Sequence, residues 1–197
     1  FKSDSDTKTL INHFLYFGVD KTLKDIRGMW SLCLLDVNKK TMYLSRDRLG
    51  IKPLFYYKDK KKFIFSSSIK SINFLLKKKK INKEYLKNYL IKGQLDSSQK
   101  TPFKNIFNFP SASLLKINLQ NKKNIDFKFN KFWKLNSKET NGINKIANFK
   151  KLIDKNLSLH SDLQRRVKAI VPLSSGLDST YIQKKNITKN YLSMSLS

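Results

Sequence analysis

Residues 46–56 read Arg46-Asp47-Arg48-Leu49-Gly50-Ile51-Lys52-Pro53-Leu54-Phe55-Tyr56 and lie between two pairs of short apolar segments. Upstream, Met29–Asp36 and Thr41–Arg46 flank Val37-Asn38-Lys39-Lys40, a good turn. Downstream, Leu54–Lys58 and Lys62–Ser66 flank Asp59-Lys60-Lys61 in the same way. Runs of this length, rich in aromatic and branched residues and bounded by polar clusters, predict strands joined as hairpins. Both faces of the first pair are apolar, with Trp30, Leu32 and Leu34 on one and Cys33 and Leu35 on the other. A sheet covered on both sides, by helices or a second sheet, is therefore expected.

Before this region, Leu10, Ile11, Phe14, Leu15 and Phe17 keep helical spacing, with Ser5 or Asp6 as N-cap and Gly18 as the stop. Beyond it, helices are predicted over Ser68–Leu76 and Lys83–Lys92, then a looser strand-rich stretch over residues 101–135 ending in Phe132-Trp133. A polar linker, Asn136 to Asn144, precedes a change of pattern: a helix near Ile146–Leu159, a strand over Val167–Leu173, a loop, a short helix, and a second strand over Tyr191–Leu196. The fold class expected is α+β followed by α/β. Residues 1–135 form one domain and residues 146–197 the beginning of another.

Forty-one basic against 14 acidic residues give a net charge of +27, which ordinarily suggests a polyanion partner. Arginine, the preferred residue for bidentate phosphate and base contacts, is confined to Arg27, Arg46, Arg48, Arg165 and Arg166. The lysines are scattered or gathered at loop tips such as Lys77 to Lys80. Compositional bias explains the charge better than nucleic-acid binding does. Cys33, alone in the sequence, permits no disulfide and no cysteine-based zinc site, and its apolar neighbours predict a buried, inert thiol. No stretch has the length of a membrane span and no signal pattern opens the chain, so a cytoplasmic protein is expected.

The segment Ser174-Ser175-Gly176-Leu177-Asp178-Ser179-Thr180 carries the clearest chemistry. A small-residue loop between a strand end and a helix start presents N–H groups and hydroxyls to an anion. Asp178 would repel phosphate unless Mg2+ lay between them, which suggests a metal–pyrophosphate site; an ordinary Ser/Gly turn with an Asp cap is the plain alternative. The segment resembles the pyrophosphate loop of N-type ATP pyrophosphatases, Ser-Gly-Gly-x-Asp-Ser, with Ser175 in place of the middle glycine.

Gly28-Met29-Trp30-Ser31-Leu32 and the stretch 46–56 resemble the glutaminase half of glutamine-hydrolysing asparagine synthetases. Phe65-Ser66-Ser67-Ser68-Ile69-Lys70, Thr101-Pro102-Phe103-Lys104-Asn105-Ile106, Phe109-Pro110 and Phe132-Trp133 follow in that family's order. The resemblance implies part of an N-terminal-nucleophile glutaminase sandwich, followed by the start of a parallel-sheet ATP-pyrophosphatase domain. It implies that Asp6 pairs with the amino group of glutamine, and that Leu173 and Met194 contact adenosine. It further implies that Ser174, Ser175, Gly176, Asp178 and Ser179 hold the pyrophosphate of ATP, with Asp178 on Mg2+. The implied activity is a ligase making asparagine from aspartate, ATP and glutamine-derived ammonia through an aspartyl-adenylate, with release of AMP and pyrophosphate. Its partners are those small molecules, neither nucleic acid nor membrane, with a homodimer left open.

The family's nucleophile is an N-terminal cysteine, and this chain opens with Phe1. It is therefore expected to be a piece of a longer protein that cannot hydrolyse glutamine by itself, and no catalytic residue is assigned. His13 and His160 have no partner visible in the sequence and are expected to be non-catalytic. Three other readings stay open: a related amidotransferase acting on a sugar or another carboxylate, an inactive remnant, and a basic nucleic-acid-binding protein.

Overall fold

In a computed structural model, residues 5–59, 62–76, 80–93, 99–120, 127–135, 145–163, 170–174, 176–186 and 192–195 are described. They fall into two compact units, Phe1–Asn136 and Ser137–Ser197. The expected linker, the Arg165-Arg166-Val167-Lys168 segment, Lys77–Lys79 and Ser175 lie outside the described residues.

The first unit holds α1 (Asp6–Asp25), β1 (Ser31–Asp36), β2 (Thr41–Arg46), β3 (Phe55–Lys58), β4 (Phe63–Ser66), α2 (Ile69–Leu76), α3 (Lys83–Lys92), β5 (Ile106–Asn108), β6 (Ser113–Asn118) and β7 (Phe129–Lys131). Its strands form two antiparallel sheets, one in the order β1-β2-β6-β7 and one in the order β4-β3-β5. The hairpins lie where the turn residues predict them, with Leu34 opposite Tyr43 and Tyr56 opposite Phe65.

Alternation along the strands divides the apolar residues between two cores. Leu44, Leu115 and Ile117 from the first sheet meet Tyr56 from the second, with Leu54 and Phe109 from adjoining loops. Phe63, Phe107 and Phe129 pack around the Tyr56 ring at 5.4–6.1 Å between centroids. On the other face of the first sheet, Tyr43 and Leu114 pack with Phe14 and Leu23 of α1, joined by Trp30, Leu32 and Leu34. Ile72 of α2 is fully buried yet belongs to neither core, and α2 packs against β3 and β4. The second sheet thus has a helix on its outer side, and the layers run helix, sheet, sheet, helix.

Two expectations need correction. Cys33 is exposed, as is Leu35. Both point to the same face as their partners Leu44 and Met42, but β1 is the edge strand and contributes nothing to the inter-sheet core. The partial cover Cys33 does have pushes its thiol pKa up, through loss of solvation. Gly18 does break the helix, with φ 75° and ψ 176°, but the chain re-enters helical geometry and continues to Asp25. Gly18 is therefore a kink within α1.

The stretch 46–52 carries the chain from the first sheet to the second, and its side chains supply the bonding that a strand ladder cannot. Asp47 is 1% exposed. Its carboxylate accepts N–H bonds from Trp30 (3.3 Å), Leu49 (3.1 Å), Ile51 (3.0 Å) and Lys52 (3.0 Å). Arg46 donates to the carbonyls of Lys52 (2.7 Å), Phe109 (2.8 Å) and Gly50 (2.5 Å). Arg48 donates to those of Ile26 (2.7 Å) and Lys24 (2.6 Å), which caps the end of α1. Gly50 stands at φ 67°, where a Cβ would lie 3.1 Å from that of Ser111 and 3.3 Å from the Arg46 guanidinium.

Burial alone would raise the Asp47 pKa, but the N–H bonds from Lys52, Ile51, Leu49 and Trp30 outweigh it and hold the carboxyl below its ordinary 3.8. A depressed pKa in the folded state contributes stability that is present above the unfolded value and lost as pH falls through the folded one. Asp47→Asn is expected to lower stability at neutral pH by about 2–3 kcal/mol, since an amide turns one acceptor into a donor facing N–H groups. Denaturant titrations from pH 7 to pH 2 should show the gap between variant and parent narrowing below about pH 4. Gly50→Ala is expected to cost about 1–3 kcal/mol in the same assay.

Candidate functional site

Asp6 is the first residue of α1, with its side chain exposed. Ser5 is the N-cap in extended geometry, and its carbonyl accepts from the Thr9 N–H at 3.2 Å. A carboxylate in the first turn of a helix interacts favourably with the helix dipole.

The second unit holds α4 (Lys145–Leu163), β8 (Ile170–Leu173), α5 (Leu177–Asn186) and β9 (Leu192–Ser195). β8 and β9 pair in parallel, with Pro172 opposite Met194 and Leu173 opposite Ser195. Parallel neighbours need a crossover, and α5 supplies it. Leu173 and Met194 therefore come from different strands to neighbouring positions at the carboxyl end of the pair. The loop from Ser174 leaves from that same end. Crevices outside the carboxyl ends of parallel strands are where open α/β sheets bind ligands.

Hydroxyls organise the described part of that loop. The Ser179 Oγ lies 3.0 Å from the Ser174 Oγ, 3.0 Å from the Ser174 carbonyl and 3.1 Å from that of Gly176. It also accepts from the Ser174 N–H at 3.3 Å. The Thr180 hydroxyl donates to the Gly176 carbonyl at 2.9 Å, and the Thr180 N–H reaches the same oxygen at 3.2 Å. Thr180 makes the first intrahelical bond, so the N–H groups of Leu177, Asp178 and Ser179 have no partner within the helix. Asp178 is exposed in this first turn. The arrangement offers an anion backbone donors and places one carboxylate beside them. Of the predicted residues the structure brings together Leu173, Ser174, Gly176, Asp178, Ser179 and the backbone of Met194.

A single carboxylate beside an anion site suits Mg2+, which takes one or two carboxylates and leaves its remaining positions to water and phosphate oxygens. Among the described residues no group of three or more His, Cys, Asp or Glu side chains could hold a metal by itself. None of their helices is long and apolar enough to cross a membrane.

Two polar clusters escape sequence reasoning. Asp154 of α4 accepts from the Tyr181 hydroxyl at 2.7 Å and pairs with the Lys185 ammonium at 3.0 Å, which ties α4 to α5. The bond from Tyr181 first, then that from Lys185, holds the Asp154 carboxyl below its ordinary range. His13 meets Thr22 across the Gly18 kink, with Nδ1 and Oγ1 3.0 Å apart. No helical spacing signals a contact nine residues away.

A layered α+β sandwich of two antiparallel sheets defines the class to which the first unit belongs. Residues 1–133 match the model of the glutamine amidotransferase domain, and the chain belongs to that family. It is 32% identical over 189 residues to a Methanocaldococcus jannaschii protein named "Putative asparagine synthetase (glutamine-hydrolyzing) 2". That match covers 92% of this chain and 35% of the relative. Bacillus subtilis asparagine synthetase (glutamine-hydrolyzing) 2 is 31% identical over 195 residues, covering 92% of this chain and 25% of the relative. The chain thus spans between a quarter and about a third of these curated relatives.

Tyr181→Phe is expected to raise the Asp154 pKa toward its ordinary value, because it removes the largest influence lowering it. A carboxyl-detected NMR titration of Asp154 in the two proteins measures the shift directly.

Proposed function

We propose that the chain belongs to an enzyme that makes asparagine from aspartate, ATP and ammonia drawn from glutamine. On this reading residues 1–135 are part of the glutaminase domain with its connecting segment, and residues 146–197 begin the synthetase domain. The observation that carries the proposal is the parallel β8–loop–α5–β9 unit. Its loop sits at the carboxyl end of the strands, in a chain whose relatives are named for glutamine-hydrolysing asparagine synthesis.

Asp6 pairs with the ammonium group of glutamine in a charge-assisted contact. Leu173 and the backbone of Met194 border the adenosine of ATP. Ser174, Ser175, Gly176 and Ser179 surround its pyrophosphate, and Asp178 is the residue that would hold Mg2+, which when bound would supply charge neutralisation for the leaving group. The chain's own contribution is orientation: first-turn N–H groups aimed at an anion, in a loop held in shape by the Ser174–Ser179 hydroxyl pair. A carboxylate oxygen of aspartate attacks the α-phosphorus and pyrophosphate leaves. Ammonia then attacks the acyl carbon and AMP leaves, which completes the amide.

ATP–pyrophosphate exchange on the intact gene product, without ammonia, tests the acceptor. Exchange that requires aspartate is the expected result. Exchange with a sugar acid and not aspartate would move the assignment to a related amidotransferase, and failure to bind ATP would favour an inactive remnant. Asp178→Asn should reduce the exchange rate on the order of 100-fold, the scale of losing a metal-bound electrostatic contact. Asp6→Asn should raise the KM for glutamine by roughly 10-fold or more, from loss of one charge-assisted bond, and leave ammonia-dependent synthesis unchanged.

A further inference from the structure

The kink in α1 divides the helix into a front half that begins at Asp6 and a rear half that ends at Asp25. The two halves are anchored differently. Arg48 caps the rear half through the Lys24 and Ile26 carbonyls, and Thr22 and Leu23 are fully buried. The front half buries Phe14, while Ile11 and Leu15 are exposed beside a cavity of about 730 Å3 that also touches Gly18 and Val19. Glycine at φ 75° sets no angle between the halves by itself. Packing of Phe14 and Leu10 against Tyr43 and Leu114 seats the front half, and a polar bond links it directly to the rear half.

That bond runs through Thr22. Its Oγ1 lies 2.6 Å from the Gly18 carbonyl and 3.2 Å from the His13 carbonyl, and a hydroxyl has one proton to give. With that proton committed to a carbonyl, the contact between Oγ1 and His13 Nδ1 at 3.0 Å requires the imidazole to donate. The short bond to the Gly18 carbonyl thus points to an imidazole that carries a proton on Nδ1, with or without a second on Nε2. The opposite edge of the ring faces Asp25, with Nε2 and Oδ2 3.9 Å apart, and Asp25 is itself held by Lys21 at 3.0 Å. Phe17 packs on the ring at 4.5 Å between centroids. His13 in the front half thus grips Thr22 in the rear half, with the broken turn between them.

We propose that His13 is a positioning residue: its Nδ1–H latches the front half of α1 to Thr22 and so fixes where Asp6 stands. The glutamine consequence rests on the reading of Asp6 given above, whereas the latch itself does not. Two turns of helix separate His13 from Asp6, so a change in kink angle moves the carboxylate as the end of a lever. The donor is what matters, and an Asn amide nitrogen can occupy the place of Nδ1.

The test compares the parent chain with His13→Asn and His13→Ala. Ring 15N–1H spectra of the parent should place the proton on Nδ1. Amide exchange over residues 7–17 should quicken about tenfold in His13→Ala, the scale of one lost hydrogen bond, and stay near parent in His13→Asn. Residues 19–25 should be unaffected. A ring protonated only on Nε2, or Asn and Ala variants that behave alike, would overturn the latch. In the intact gene product, His13→Ala should raise the KM for glutamine several-fold with kcat and ammonia-dependent activity unchanged, and His13→Asn should restore it. An unmoved KM beside a confirmed latch would overturn the positioning role. A parent protein indifferent to glutamine would instead overturn the reading of Asp6, with the ring and exchange data still deciding the latch.

Discussion

The first unit depends on one buried carboxylate. A charge taken out of water is tolerated only where hydrogen bonds replace its hydration, and Asp47 receives four, all from backbone N–H groups. Those donors need it as much as it needs them. The chain between the two sheets follows no ladder, so its N–H groups would otherwise be buried and unpaired. The Asp47 backbone extends the same role, its N–H reaching the Trp30 carbonyl at 2.9 Å and its carbonyl accepting from Gly50 at 3.1 Å and Ala112 at 2.9 Å. The entries to β1 and β6 and the exit from β2 are thus tied to a single residue.

Its two neighbours complete the accounting with the opposite polarity. Arg46 and Arg48 are all donor, and together they take up five carbonyls that the loop, the residues before β6 and the end of α1 leave without partners. Acid flanked by two arginines is therefore a device for satisfying an irregular backbone in both senses within three residues. The Thr101-Pro102-Phe103 stretch repeats the device on a smaller scale. The buried Thr101 hydroxyl donates to the Ile106 carbonyl at 2.7 Å and accepts from the Phe103 N–H at 3.2 Å.

This explains which parts of the structure were legible in the sequence. Hairpins, turns and helix ranges follow from alternation and apolar spacing, and the predicted Lys83–Lys92 helix proves to be bounded by Asn82, which accepts from the Tyr85 N–H, and by Gly93, left-handed at φ 63°. The motifs behind the family resemblance stand out because side-chain-to-backbone bonding tolerates few residue types. They are mostly scaffold, and the stretch 46–52 among them is a clamp between the two sheets. What the sequence hid is relational. Apolar residues on both faces of β1 do not reveal that an edge strand is covered on one face alone, so Cys33 and Leu35 were misplaced. A glycine after a helical run does not reveal that the helix resumes, and His13 finds Thr22 only because it does. In the second unit the strands, crossover and loop were legible, but the Asp154–Tyr181–Lys185 link between α4 and α5 was not, since it joins residues 27 and 31 positions apart.

The two polar loops can be told apart by what they leave unspent. Around Asp47 the backbone donors of residues 49, 51 and 52 are consumed internally and the carboxylate is out of reach of solvent. Such a loop has nothing to offer a ligand. Around Ser174 the hydroxyls bond one another and brace the turn, the N–H groups of Leu177, Asp178 and Ser179 precede the first intrahelical bond, and Asp178 is exposed. A site needs both conditions at once, a frame that holds its shape without the ligand and donors that remain free for it. Asp6 follows the same logic at the start of α1, an exposed charge on a helix whose rear end is clamped by Arg48. On the proposed reading, binding falls at the beginnings of helices, where the backbone has N–H groups without a partner inside the helix, and within the first unit the stretch 46–52 serves the frame.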